Sequence, residues 1–181
     1  MKRKKVANYV TKRNKSLPEY QFGPFNVFVQ SPVAEKDDND DLIDDIIHEV
    51  AHAVEERYGQ FLYSDEKIKN EFLLKRSRLK RILEDQGYDI SNLDFFETEY
   101  DEEFDLFLYK EVGYDALRLL VVDLFTAAYS ATSLREYFAR GFEEYYLGNL
   151  LYLKDISPYI YKKLSLLNEK DLEELDYNDR L

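Results

Sequence analysis

The sequence predicts an α+β domain, predominantly helical, with one short β-element ahead of its first long helix. Three observations predict it. Apolar residues recur at helical spacing in several separate stretches, glycines stand where those stretches stop, and PFNVFVQ at 24–30 alternates in the manner of a strand. A chain of 181 residues, 45% hydrophobic and 34% charged, has room for one domain with a real core and is short for two.

Residues 1–16 form a basic arm, with seven Lys or Arg among the first 15 residues, and read as a solvated flexible tail. The single domain is expected over 17–181. Pro18 and Pro32 bound a segment broken at Gly23-Pro24, and residues 25–30 are the predicted strand. The run EKDDNDDLIDD at 35–45 carries seven acids against one Lys and leads into a helix. Asn39 or Asp40 suits its N-cap, and Asp41, Asp44 and Asp45 lie near the positive end of its dipole. That helix is predicted over about 41–58, stopping at Gly59.

A second, charge-laced helix is predicted over 64–86, ended by Gly87. The acidic, aromatic passage at 94–110 fits helix or loop. VGYDALRLLVVDLFTAA at 112–128 reads as a buried helix, 133–147 as another ended by Gly148-Asn149, and a last one starts after Ser157-Pro158.

Composition excludes several function classes. No run reaches the roughly 18 apolar residues of a membrane span; the longest, LRLLVVDLFTAAY at 117–129, contains Asp123. The basic N-terminus lacks the apolar stretch of a secretory signal, so the expected location is cytoplasmic or within a virion. Without cysteine there is no disulfide framework, thiolate metal site or cysteine nucleophile. The net charge of -12 argues against nucleic acid as partner of the main domain, although the basic arm suits an acidic partner or RNA.

The two histidines of the chain both lie in HEVAH, residues 48–52. Two histidines placed at random fall four apart roughly once in a hundred, before a Glu between them is required. On a helical wheel His48, Glu49 and His52 share one face, with Leu42, Ile43, Ile46, Ile47, Val50, Ala53 and Val54 centred almost opposite. Imidazoles at i and i+4 can point at one Zn²⁺, and the Glu between them can take a proton from a water the metal activates. A catalytic zinc takes three protein ligands. With no third histidine, the remaining one must be Asp or Glu, carried by a helix that crosses the first.

The stretch LFTAAYSATSLREYFARGFEEYYLGN at 124–149 resembles the second active-site segment of the anthrax lethal-factor-like zinc metallopeptidases, which include the clostridial proline-proline endopeptidases. There HExxH is followed by a helix of the form E-[FY]-F-A-x-[AG]-F, matched here by EYFARGF at 136–142. The resemblance implies a zincin-like fold and a metalloendopeptidase acting on a protein or peptide. It implies Zn²⁺ held by His48, His52 and Glu136, Glu49 as general base, and Tyr129, seven residues before Glu136, as hydrogen-bond donor to the oxyanion. It covers about half the chain. Arg140 stands where the family often has a second acid, and the 83 residues between His52 and Glu136 make 60–111 an expected elaboration.

The residues have other readings. Ser133-Leu-Arg-Glu136 is a capping box, in which Glu136 serves the backbone at a helix start. Glu143 and Glu144 are alternative ligands on the same helix, and Asp45 and Asp123 are candidates to orient a metal-bound histidine. Val27, Phe28 and Val29 are the candidate edge strand for an extended substrate. A catalytically silent zincin fold, serving as a structural or binding protein of a virion or other large assembly, is the competing function.

Overall fold

The computed structural model describes residues 21–22, 25–26 and 39–169. The basic arm, most of the expected strand with Val27, Phe28 and Val29, and the C-terminal residues 170–181 lie outside the described residues. At the N-terminal side, β1 (Gln21–Phe22) and β2 (Phe25–Asn26) pair antiparallel, Gln21 opposite Asn26 and Phe22 opposite Phe25. Everything else is helix or connection, so the described part is predominantly helical.

The first helix, α1 (Asn39–Tyr63), does not stop at Gly59 as predicted. Its backbone leaves helical geometry at Tyr58 (φ -116°, ψ 20°) and then resumes. The reason is tertiary: Leu62 beyond the break is fully buried, so the last turn gains apolar burial by continuing. Helix α2 (Lys67–Asp85) follows with Ile68, Phe72, Leu79 and Leu83 buried along one face, and Gly87 at φ +85° ends it, a conformation only glycine adopts cheaply. Residues 60–111 therefore contribute to the core.

The ambiguous 94–110 passage resolves into α3 (Glu102–Leu106), capped by the Asp101 carboxylate accepting from Glu103 and Phe104 N–H, and a π-helical segment, Phe107–Val112. The long buried helix expected over 112–128 is not formed. Between the π-helical and 3₁₀ segments at its two ends, only α4 (Tyr114–Leu120) is α-helical there. Leu119 and Val122 are exposed, and Asp123 adopts φ 60° in the turn that follows, so this apolar run is not a continuous core face.

A 3₁₀ turn (Ala128–Ala131) leads into α5 (Leu134–Tyr146). Next comes a short helix that the sequence reading missed, α6 (Leu150–Ile156), started by the Asn149 side chain accepting from Leu151 and Tyr152 N–H. Helix α7 (Pro158–Glu169) begins at the proline, as predicted. Helices α1 and α5 pack directly on one another, and α7 backs α5 at Gly141, where an added Cβ would lie 2.8 Å from Ile160 Cδ1. The core joins Ile47, Val50, Ala51 and Val54 of α1 to Phe138, Ala139 and Phe142 of α5. Among the described residues no helix is long and apolar enough to cross a membrane.

Candidate metal centre

Helix α1 buries Ile46, Ile47, Val50, Ala51 and Val54 and turns His48 and His52 toward α5. Four residues apart on a helix of 3.6 residues per turn, the two rings lie on one stripe. They meet edge to face at 88°, centroids 4.7 Å apart, with their Nε2 atoms 3.1 Å from each other. Glu49 is exposed beside them.

The third group comes from the first turn of α5. Ser133 caps that helix, its Oγ accepting from Glu136 N–H at 3.1 Å, so half of the predicted capping box forms. The other half does not. The Glu136 carboxylate crosses to α1 instead, Oε2 3.2 Å from His48 Nε2 and Oε1 3.4 Å from His52 Nε2. Among the described residues, His48, His52 and Glu136 are the group whose donor atoms converge, all within 4.8 Å of one another.

This donor set fits a metal ion. Donors about 2.0–2.1 Å from a tetrahedral zinc stand about 3.3–3.4 Å from one another, close to the spacings found here. Glu136 Oε2 is also buried without a well-directed hydrogen bond, 3.2 Å from His48 Nε2, so a cation, whether a metal ion or the protonated ring, has to meet it. Nitrogen and carboxylate donors without sulfur suit zinc chemically.

Each histidine has an outer carboxylate on its Nδ1 side. Glu143 Oε1 is 2.6 Å from His48 Nδ1, while Glu143 Oε2 accepts from Arg140 Nη1 at 2.7 Å. Glu143 is thus placed to orient a histidine, whereas the sequence reading kept it as an alternative ligand. On the other side Glu55 Oε2 lies 3.7 Å from His52 Nδ1, and Glu55 Oε1 accepts from the Tyr63 hydroxyl at 2.5 Å. Arg135 Nε donates to His52 Nδ1 at 3.1 Å and stands 3.4 Å from Glu55 Oε2. Glu55, Tyr63 and Arg135 were not singled out from sequence. The available signal was spacing: Glu55 follows His52 by one turn, and Glu143 follows Glu136 by two. Asp123, proposed for this orienting role, is exposed on the turn after α4, and Asp45 is exposed on α1.

The charges are balanced around the rings. Burial by itself would lower the His48 pKa, but the facing carboxylates of Glu136 and Glu143 prevail and raise it from 6.5 to about 9. Burial would raise Glu136, and the two histidines instead hold it down at about 2. The site attracts positive charge. Burial lowers His52 as well, and Glu136 and Glu55 raise it above the ordinary value. Arg135 Nε donates to His52 Nδ1, a bond that only the bare nitrogen can accept.

Tyr129 sits in the 3₁₀ turn just before α5, half-buried, its ring edge-on to Tyr114 with centroids 6.4 Å apart. Burial and the nearby Glu136 charge raise its pKa, which keeps the phenol protonated and able to donate. The turn is tied down from α2. Arg76, 1% exposed, donates to the carbonyls of Ala131 (2.7 Å), Thr132 (3.2 Å) and Asp94 (2.9 Å), with its guanidinium 3.7 Å from the Phe104 ring centroid. Beside His52 an open cleft of about 560 Å³ is lined by Glu55, Tyr63, Glu99 and Arg135 among others. A smaller one of about 220 Å³ is lined by Asp44, Arg140, Glu143 and Glu144 among others.

No protein-family model, no curated protein and no solved structure matches the chain.

Proposed function

We propose that this protein is a zinc-dependent metalloendopeptidase with a zincin-like fold, hydrolysing peptide bonds of a protein or peptide substrate. The observation that carries this reading is the convergence of His48, His52 and Glu136, from two crossing helices, into a donor set with zinc-like spacing. His48, His52 and Glu136 would hold the ion. A zinc ion there supplies the Lewis acidity that activates water and polarises a peptide carbonyl.

The protein's own groups supply the rest. Glu49, next to the ligand pair and open to solvent, accepts a proton from the attacking water on a carboxylate oxygen and returns it to the departing amine. Tyr129, held protonated at the start of α5, donates its phenolic hydrogen to the oxygen that gains negative charge. Glu143 orients the His48 imidazole, and Glu55, 3.7 Å from His52 Nδ1, is placed to take the same role once the ion is bound. The open cleft beside His52 admits a chain segment rather than enclosing a small molecule.

The deciding experiment is zinc content of metal-replete purified protein, wild type beside Glu136→Gln and His52→Ala. One equivalent in the wild type, lost or strongly weakened in both variants, is expected, followed by cleavage of a peptide library. No zinc in the wild type overturns the reading and leaves a catalytically silent assembly protein as the better account.

A further inference from the structure

The two histidines are not equally ready for a metal. His48 Nδ1 faces a Glu143 carboxylate oxygen, which can only accept, so in the neutral ring that nitrogen carries the hydrogen and Nε2 offers its lone pair. His52 is set the other way. Arg135 Nε always carries hydrogen and donates to His52 Nδ1, so a neutral His52 in this bond must carry its hydrogen on Nε2. That Nε2–H points toward His48 Nε2 at 3.1 Å and occupies the position where a metal ion needs a lone pair.

We propose that Arg135 is a positioning residue that latches His52 in the tautomer unable to take a metal, and that metal binding releases it in favour of Glu55. This rests on the metal-site part of the function proposed above. Ligation through His52 Nε2 moves the ring hydrogen to Nδ1, which turns the Arg135 contact into donor against donor. The acceptor for the new Nδ1–H is already present: Glu55 Oε2 is 3.7 Å away, its carboxylate held by Tyr63. Arg135 is 62% exposed and leaves without disturbing the core. His48, by contrast, keeps the same Glu143 bond with and without the ion.

Two readouts test this. The first is ¹⁵N NMR of the imidazoles in metal-free protein, followed to alkaline pH until both rings have lost their charge. The expected result is a bare Nδ1 on His52 and a hydrogen-bearing Nδ1 on His48. A His52 ring with its hydrogen on Nδ1 overturns the proposal, whether or not the protein cleaves peptides. The second is zinc affinity, by competition with a chelating indicator in mildly alkaline buffer. Arg135→Ala should bind roughly two- to fivefold more tightly than wild type, the scale of an exposed charge interaction. Glu55→Gln should bind about tenfold or more weakly, as for loss of an orienting partner. Arg140→Ala separates the latch from simple charge repulsion, since it removes the same charge beside His48 but also the brace on Glu143. Weakening in Arg140→Ala with tightening in Arg135→Ala supports the latch; tightening in both, or no gain in Arg135→Ala, overturns it.

Discussion

Glu143 Oε1 lies 2.6 Å from His48 Nδ1, two helical turns along α5 from Glu136, whose carboxylate meets the opposite edge of the same ring. One helix therefore grips His48 from both sides. Such outer contacts raise ligand basicity and fix ring orientation, and their loss costs about 10–100-fold in metal affinity. Glu143→Gln should weaken zinc binding on that scale without unfolding the protein. An affinity equal to wild type would remove Glu143 from the site.

Stability of the metal-free protein should depend on pH in a defined way. His48 has its folded pKa raised from 6.5 to about 9, so its stabilising contribution is complete below 6.5 and is lost as pH rises through about 9. Glu136 is lowered from 4.5 to about 2, so its contribution is present above 4.5 and is lost as pH falls through about 2. Tm after chelation should therefore peak between these windows and decline toward alkaline pH. Zinc ligation needs unprotonated rings, so the Tm gain from zinc should widen as pH rises from 6.5 to 9. A gain that narrows over that range would contradict the arrangement of charges described above. Thermal melts with and without chelator, across the range, make the comparison.

Glu49→Gln should retain one equivalent of zinc and lose peptide cleavage by about 10²–10⁴-fold, the usual contribution of a positioned general base. Retained cleavage would assign the proton transfer to another group.

Tyr129→Phe removes one hydroxyl from a half-buried ring that keeps its contact with Tyr114. Melting temperature and zinc affinity should change little, while kcat falls by about 10²–10³-fold at nearly constant KM. An effect on KM alone would make Tyr129 a substrate contact instead.

Arg76→Leu should be destabilising by roughly 3–5 kcal/mol in urea unfolding, because two buried carbonyls and a third, part-buried one lose a charged donor together. Since two of those carbonyls stand between Tyr129 and the Ser133 cap, cleavage should suffer more than zinc affinity in any folded variant. Wild-type stability would show that the carbonyls find other partners.

The stripe of two histidines and most helix positions were legible in the sequence, for reasons that are local. Histidines at i and i+4 share a face on any helix, Ser133 caps its own helix, Pro158 starts one and Gly87 ends one, because backbone sterics and short-range hydrogen bonds act over a single turn. Where local signals competed with packing, packing prevailed. Gly59 did not end α1, because Leu62 beyond it is buried; the run from Val112 to Ala128 left the helix after Leu120, because the turn at Asp123 (φ 60°) buries Val121, Leu124 and Phe125. Glu136 could satisfy its own helix start or reach another helix, and only the crossing of α1 and α5 sent it to the histidines. The same crossing brought Glu143 to His48 and Arg135 to His52, pairings 95 and 83 residues apart in the chain. Spacing along a sequence specifies which residues share a face; which faces meet is set by burying the apolar sides of both helices in one core.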